Sequence, residues 1–172
     1  FLFNSLNNID VLIQKDAVKA SAYLNKLSDI MRFMLYETKS ENILLSKELG
    51  YIEKYLALQK IRTANDNFVQ YEVEGETGKW MIAPMLFIPF IENAFKHSTN
   101  KKIKEAILIR MEMAGDNKVI FQCKNVICAE KTIPSRNGGL GIELIRQRLQ
   151  FLYADKHMLT IHQSPETFEV DL

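Results

Sequence analysis

Apolar residues recur every three or four positions through the first third of the chain, and this spacing predicts helices. No glycine or proline occurs within residues 1–49, so we expect one long helix that ends in the polar stretch 38–42. Ser46 is placed to cap a second helix, with Glu48 in its first turn, and the stripe fades near residues 64–67. The apolar positions of the first helix, which lie close to a heptad seam, are Leu6, Ile9, Ile13, Ala17, Ala20, Leu24, Leu27, Met31 and Met34.

Two helices joined by a short turn predict an antiparallel hairpin over residues 1–66. Alone, such a hairpin leaves its apolar seam half exposed to water. A second copy of the chain would bury the seam, so we expect a homodimer. In the alternative, the seam packs on the chain's own globular domain.

After residue 67 the apolar period alternates, which predicts a second domain over residues 67–172. Gly75 and Gly78 indicate a turn after its first strand, and residues 114–117 (AGDN) indicate a hairpin. We expect a mixed sheet with helices on one face, which makes the chain α+β. The predicted strands cover 68–73, 106–113, 118–124, 158–162 and 167–172, and the predicted helices cover 84–98 and 142–153, the latter with Ile145, Leu149 and Leu152 on one face.

Composition narrows the possible functions. The 172 residues are 47% hydrophobic, which is enough for a packed core, and the formal net charge of +1 gives no general electrostatic case for binding nucleic acid or an anionic membrane. The longest apolar run, residues 80–91, contains two prolines and is shorter than the ~20 residues of a membrane span. Cys123 and Cys128 lack partners for a zinc site, and we expect reduced thiols.

Candidate chemistry lies in the segment 91–98 (IENAFKHS). On a helix, Asn93 falls beside Lys96 and His97, and Glu92 is close to the same face. An amide oxygen suits Mg²⁺ and a lysine suits phosphate. The alternative is an ordinary amphipathic helix with a solvated polar face.

A second candidate is the segment 137–141 (NGGLG), which leads into a helix. Glycines let backbone N–H groups approach an anion, and a helix N-terminus adds favourable partial charge. The same glycines could simply shape a turn. The spacing fits neither the Rossmann pattern nor a P-loop.

These segments together resemble one family. The opening FLFNSLNN, residues 1–8, resembles the FLFN-x-L-N run of the dimerisation helix in LytS/YehU-type sensor histidine kinases. Residues 48–62 resemble that family's second helix, although Gln59 stands where glutamate is common. Residues 84–98 are similar to its N box, and residues 139–142 to its G2 box. Four motifs in register favour the functional interpretation of both candidate segments.

The resemblance implies a Bergerat-type (GHKL) ATP-binding fold, an α/β sandwich that follows the helical hairpin. In it, Asn93 would ligate the Mg²⁺ that bridges the phosphates of ATP, and Lys96 would contact phosphate. His97 would lie against the nucleotide, with Glu92 nearby as a polarising carboxylate. Glu92 and Lys96 are therefore the expected catalytic residues, and Asn93 is the expected metal ligand.

Other nucleotide contacts follow from the same resemblance. Gly139, Leu140 and Gly141 would lie under the phosphates with backbone N–H groups, and residues 126–138 would form the ATP lid. Asn125 occupies the place of an adenine-reading aspartate, but the glycines that usually follow are absent. Leu144 replaces a common asparagine. These departures favour an alternative, a non-catalytic nucleotide-binding scaffold or pseudokinase.

As a member of this family, the chain would be the cytoplasmic kinase core of a two-component sensor, and a response regulator would be its partner. The phosphate-accepting histidine of the family immediately precedes the FLFN run, so we expect it just before Phe1. Membrane spans would also lie before Phe1, in a bacterial inner-membrane protein, and we expect no signal peptide within the chain. A chaperone-type or repair-type GHKL ATPase is a further rival, but the FLFN hairpin does not belong to that class.

Overall fold

The computed structural model describes residues 2–61, 63, 65–98, 100–115, 117–127 and 140–172. The chain divides into two compact units, residues 1–64 with Met81–Pro84 and residues 65–80 with 85–172. The roles predicted for the two domains stay predictions. In chain order the elements are α1 (Leu2–Lys15), α2 (Ala17–Tyr36), a 3-10 turn (Glu37–Lys39), β1 (Ile43–Leu44), α3 (Leu45–Ile61), β2 (Val69–Glu74), β3 (Met81–Ile82), α4 (Ile88–His97), β4 (Ile107–Ala114), β5 (Lys118–Val126), α5 (Leu140–Leu152), β6 (Thr160–Gln163) and β7 (Thr167–Asp171).

The expected single long helix is wrong, because the chain breaks at Asp16 into α1 and α2. Asp16 has an extended backbone (φ −158°, ψ 90°), and its carboxylate accepts a hydrogen bond of 3.0 Å from the Lys19 N–H. This is an N-cap, a role that aspartate favours over a place inside a helix. Leu6 of α1 and Leu27 of α2 line the same groove, so α1 folds back along α2. The first unit therefore has three helices, and the predicted two-helix hairpin is only its α2–α3 part.

The break at Asp16 also divides the predicted apolar seam. Leu27 is buried at 2% exposure, whereas Leu24 is 51% exposed. The face of α2 that is buried carries Tyr23 and Ile30 beside Leu27, neither of which belongs to the predicted seam. The seam positions that stay exposed are Leu6, Ile13, Ala17, Leu24 and Met31.

The connection between α2 and α3 follows the prediction in part. The first long helical segment ends at Tyr36, and the polar stretch forms the break as expected. Lys47 Nζ lies 2.9 Å from both carboxylate oxygens of Glu37 and so ties the two sides of this connection together. Because α3 begins at Leu45, Ser46 lies inside the first turn and is not the predicted cap. The antiparallel pair β1–β3, with Ile43 opposite Ile82, was not predicted.

A five-stranded sheet forms the second unit, in the order β2-β4-β5-β7-β6. The β2–β4 pair is parallel and the remaining pairs are antiparallel, so the predicted α+β class with a mixed sheet is confirmed. The predicted hairpin joins β4 to β5, where Ala114 pairs with Lys118 and Gly115 takes a left-handed φ of +58°. A glycine meets that backbone requirement without steric cost.

The two helices of the second unit differ slightly from the prediction. The helix expected from Pro84 begins at Ile88, because Met85 takes a left-handed φ of 57° and the chain turns before α4. Helix α5 begins at Leu140 and buries Ile145 and Leu149, whereas Leu152, predicted on the same face, is exposed. Of the helices described, none is both long enough and apolar enough for a membrane crossing.

The divided seam leads to a stability prediction. Leu27→Ala should lower the free energy of unfolding by about 2–5 kcal/mol, because a buried leucine leaves a cavity when it is truncated. The matched control Leu24→Ala, on the same helix but half exposed, should change it by about 0.5 kcal/mol or less. Urea unfolding at a protein concentration low enough to suppress self-association measures both values. Equal losses would contradict the burial pattern of α2.

Candidate functional site

Helix α4 presents two faces of different chemistry. Ile88, Phe90, Ile91 and Ala94 are buried, whereas Lys96 and His97 are exposed and Asn93 is half-buried. With 3.6 residues per turn, Asn93 lies next to Lys96 and His97 on the helix surface. The structure therefore keeps these three side chains together at the C-terminal end of α4. Phe95, predicted to be a core residue, is half-buried and lies 6.1 Å from the ring of Phe68.

Aromatic packing determines which face of α4 turns outward. The ring of Phe121 on β5 lies 4.7 Å from Phe87 and 5.9 Å from Phe90, measured between centroids. Cys123, two residues along the same strand, places its thiol near the Phe90 carbonyl at 3.9 Å. Because this side of α4 is covered by β5, the polar side chains must occupy the other side.

The environment of α4 alters two ionisable side chains. Burial raises the pKa of the half-buried Glu92 carboxyl above its ordinary value. Partial burial lowers the pKa of the His97 imidazole, and the neighbouring Lys96 ammonium lowers it further. Glu92 is therefore more readily protonated than a surface glutamate, and His97 is neutral at neutral pH. The ammonium of Lys96 is the positive charge of this surface.

The C-terminal end of α4 meets the end of β5 at one backbone carbonyl. The buried Ser98 donates a hydrogen bond of 2.9 Å from its hydroxyl to the Val126 carbonyl. Asn125, predicted to contact adenine, is also buried, and its Nδ2 donates to the same carbonyl at 3.4 Å. The structure thus places Asn125 beside the end of α4, and its role toward adenine stays a prediction.

The predicted glycine-rich segment is described only in part. Of the lid expected at 126–138, Val126 is instead the last residue of β5, and residues 128–138 lie outside the described residues, as does Gly139. Leu140 is the first residue of α5. Gly141 lies in the first turn of α5 and is exposed, and among the described residues outside its own helix no atom lies within 4 Å of where a Cβ would stand. Helix α5 contacts α4, and Arg148 Nη1 donates to the Met85 carbonyl at 3.0 Å, which ties α5 to the turn before α4.

The sequence alone assigns no role in the site to three residues that lie at this end of the sheet, Ser98, Lys101 and Asn65. Lys101 Nζ donates to the Ser98 carbonyl at 2.9 Å, and Asn65 Nδ2 donates to the Lys101 carbonyl at 3.0 Å. The one available signal was a lysine shortly after the end of a predicted helix, where it can bond the last carbonyls. Asn65 is distant in sequence and gave no such signal.

The donor set of α4 suits a phosphate and its metal ion better than a metal held by protein alone. Among the described residues, no group of three or more His, Cys, Asp or Glu side chains could hold a metal ion. In nucleotide sites, Mg²⁺ is held largely by substrate phosphates and water, with one or two protein oxygens. Asn93 offers one such oxygen beside the Lys96 ammonium. Cys123 is a free, buried thiol, and burial raises its pKa to about 12. Cys128 lies outside the described residues, so the expectation that both thiols are reduced stays a prediction.

Comparison with known proteins identifies the family. A family model described as Histidine kinase matches residues 1–68. The chain is 29% identical over 170 residues to Sensor protein LytS of Staphylococcus haemolyticus, an alignment that covers 92% of this chain and 29% of that protein. It is 35% identical over 129 residues to Sensor protein kinase HptS of Staphylococcus aureus, covering 74% of this chain and 24% of that protein. The chain belongs to the LytS-type histidine kinase family.

This histidine kinase chain spans less than a third of the length of the curated relatives that it matches. Among solved structures, it is similar to the histidine kinase domain of a blue-light activated histidine kinase from Erythrobacter litoralis, with 14% identity, a TM-score of 0.48, and coverage of 96% of this chain and 84% of that one. It is also similar to a bacterial phosphotransferase, with 10% identity, a TM-score of 0.49, and coverage of 98% and 86%.

The pair Lys96 and His97 gives a prediction for this chain in the absence of any ligand. Lys96→Met removes a like charge from the neighbourhood of the imidazole, so the pKa of His97 should rise toward its ordinary value of 6.5. The rise should be partial, because burial is the larger cause of the lowered pKa. An NMR pH titration of the imidazole resonances measures it. Lys102→Met, at an exposed lysine beyond α4, is the charge-matched control, and an equal rise in both variants would contradict the local effect of Lys96.

Proposed function

We propose that this chain is the kinase core of a two-component sensor, which binds Mg²⁺-ATP and transfers the γ-phosphoryl group to a histidine. The observation that carries the proposal is the grouping of Asn93, Lys96 and His97 on the outward face of α4, in a chain of the histidine kinase family. Membership of that family implies use of ATP. A response regulator would then receive the phosphoryl group on an aspartate.

Each side chain on α4 has a task in this proposal. Asn93 supplies an amide oxygen to Mg²⁺, and the Lys96 ammonium binds a phosphate oxygen. When bound, Mg²⁺ offsets phosphate charge. Phosphoryl transfer depends on positioning and charge stabilisation more than on covalent help from the protein. A metal ligand and a phosphate-binding ammonium are therefore the types of group that this reaction needs. His97, neutral at neutral pH, can donate or accept one hydrogen bond beside the nucleotide, and the half-buried Glu92 can polarise a neighbouring group.

The remaining contacts come from the other end of the site. Backbone N–H groups of Gly139, Leu140 and Gly141 would approach the phosphates, and Asn125 would meet the adenine edge. Gly141 is exposed in the first turn of α5. A helix N-terminus carries unpaired N–H groups and a partial positive charge, which supports an anion there.

A homodimer is the second part of the proposal, and the first unit would provide its interface. Large apolar side chains are exposed on α1 and α2, among them Ile13, Val18, Leu24 and Leu35. A second copy of the chain would remove this surface from water. The unit 65–80 and 85–172 would then serve as the ATP-binding domain, in a protein whose membrane spans lie in other segments.

The rival function is a pseudokinase that binds nucleotide without transfer. Its support is Leu144, which is exposed on α5 where the family often has asparagine, and the asparagine at position 125. Labelling of the native-length protein with [γ-³²P]ATP separates the two functions. A kinase takes up label that is labile in acid and stable in base, whereas a pseudokinase binds ATP and takes up none.

Asn93 provides the direct test of nucleotide binding. Asn93→Ala removes the proposed metal ligand and should weaken Mg²⁺-ATP binding at least ~10-fold, which corresponds to about 1.4 kcal/mol. Asn117→Ala, an exposed asparagine in the β4–β5 turn, should leave the affinity unchanged. Titration calorimetry with and without Mg²⁺ measures both variants. Equal affinity for ATP in all three proteins would exclude Asn93 as a ligand, and no binding by the unmutated protein would overturn the proposed function.

The exposed apolar surface gives a separate prediction for assembly. Leu24→Glu combined with Leu35→Glu places two charges at the proposed interface, where burial without partners is costly, and should shift the chain from dimer to monomer. Leu27 is not used, because it belongs to the core of its own unit. Phe151→Glu, at an apolar position on α5 that is even more exposed, is the control and should leave the dimer intact. Sedimentation over a concentration series measures the mass, and an unmutated monomer at all concentrations would count against the dimer.

A further inference from the structure

A buried hydroxyl attaches the last turn of α4 to the sheet. Ser98 closes α4, since its N–H donates to the Ala94 carbonyl at 2.9 Å. Its hydroxyl then donates to the Val126 carbonyl at the end of β5, also at 2.9 Å. Val126 in turn donates its N–H to the Ala106 carbonyl, next to β4. The end of α4 is therefore bonded directly to the central strands of the sheet.

Lys101 closes the same turn from the opposite direction. Its ammonium donates to the Ser98 carbonyl at 2.9 Å and lies 4.2 Å from the centroid of the Phe68 ring. The Phe95 ring, which belongs to α4 itself, lies 5.7 Å from the same ammonium. A positive charge is favourable both at a helix C-terminus and over an aromatic face. Three favourable contacts thus hold one lysine side chain in place.

The backbone that carries Lys101 is fixed as well. Asn65 Nδ2 donates to the carbonyls of Lys101 and Ile103, each at 3.0 Å. Asn65 Oδ1 accepts from the Asn67 N–H at 3.1 Å, which orients the amide. Phe68, which follows this turn, is buried at 1% exposure and forms the surface under the ammonium. The segment before β2 therefore provides a rigid base for Lys101.

The consequence concerns the residues directly before Ser98. Lys96 and His97 lie in this last turn, where Lys96 is exposed and the His97 ring is only partly covered. Their direction depends on whether the last turn of α4 stays wound up to Ser98. In a site that works by positioning, a displacement of about 1 Å can cost ~100-fold in rate.

We propose that Ser98 and Lys101 are positioning residues, which hold the last turn of α4 so that Lys96 and His97 face a bound nucleotide phosphate. This inference rests on the proposed function, because it specifies how the phosphate side of that site is built. Neither residue needs to touch the nucleotide, since each acts through the backbone of Ser98. Phosphate affinity should therefore depend on them while adenosine affinity should not.

The first experiment compares two ligands on the folded protein. Lys101→Met removes the charge and the hydrogen bond but keeps much of the apolar stem, and should weaken Mg²⁺-ATP binding at least ~5-fold while leaving adenosine affinity within about twofold. Lys101→Arg keeps a cation that can bond a carbonyl and stack on a ring, and should restore ATP affinity. Lys102→Met, the exposed neighbour, should match the unmutated protein. Competition against a fluorescent ATP analogue measures all four proteins.

The second experiment needs no nucleotide. Ser98→Ala removes the hydroxyl without changing any charge, so the loosened last turn should remove the remaining burial of the His97 ring and raise its pKa toward 6.5, as followed by NMR. Ser164→Ala removes a hydroxyl from the β6–β7 turn and controls for a general loss of stability, so it should leave the His97 pKa unchanged. Amide spectra and thermal melts establish that each variant is folded at the temperature of measurement.

The outcomes separate this inference from the function on which it rests. Failure of the unmutated protein to bind Mg²⁺-ATP overturns the proposed function. If the unmutated protein binds ATP, an unchanged ATP affinity in Lys101→Met overturns the positioning inference, and so does an equal loss of ATP and adenosine affinity. An unchanged His97 pKa in folded Ser98→Ala overturns the part assigned to Ser98. Selective loss of ATP affinity, rescue by arginine and a raised His97 pKa support it.

Discussion

The contact between the aromatic side of α4 and β5 is the constraint on which the candidate site depends. Phe87 and Phe90 pack on Phe121, and these large rings determine how α4 is rotated about its own axis. Asn93 and Lys96 lie on the remaining side for that reason. Apolar packing therefore positions the polar surface of α4, and the side chains that this packing leaves exposed to solvent supply its chemistry.

The two ends of α4 are closed by different means. At the N-terminal end, the left-handed Met85 turns the chain and its carbonyl accepts from Arg148 on α5. At the C-terminal end, Ser98 and Lys101 connect the last turn to β5 and to the ring of Phe68. A helix held at both ends can present exposed polar side chains in a constant direction. This arrangement suits phosphoryl transfer, in which positioning and charge stabilisation supply most of the catalysis.

The first unit shows how one capping residue divides an amphipathic pattern. The apolar period continues through Asp16, so its carboxylate interrupts the helix without interrupting the pattern. Once α1 folds back, Leu27 is enclosed and Leu24 remains accessible on the same helix. Part of the seam therefore packs into the core of its own chain. The other part stays exposed on α1 and α2, where a second molecule could cover it. The same sequence repeat thus supports both the intrachain packing and the proposed interface between copies.

The sequence by itself determined the α+β class, the position of most helices and of the five strands of the larger sheet, and the grouping of Asn93, Lys96 and His97, because each follows from a local period or spacing. It did not determine the break at Asp16, since a capping hydrogen bond competes with helix continuation and depends on how α1 packs. The roles of Ser98, Lys101 and Asn65 also came only from the tertiary structure. Their partners lie on segments distant in sequence, such as Val126 and Phe68, and a local sequence pattern does not predict contacts of that kind.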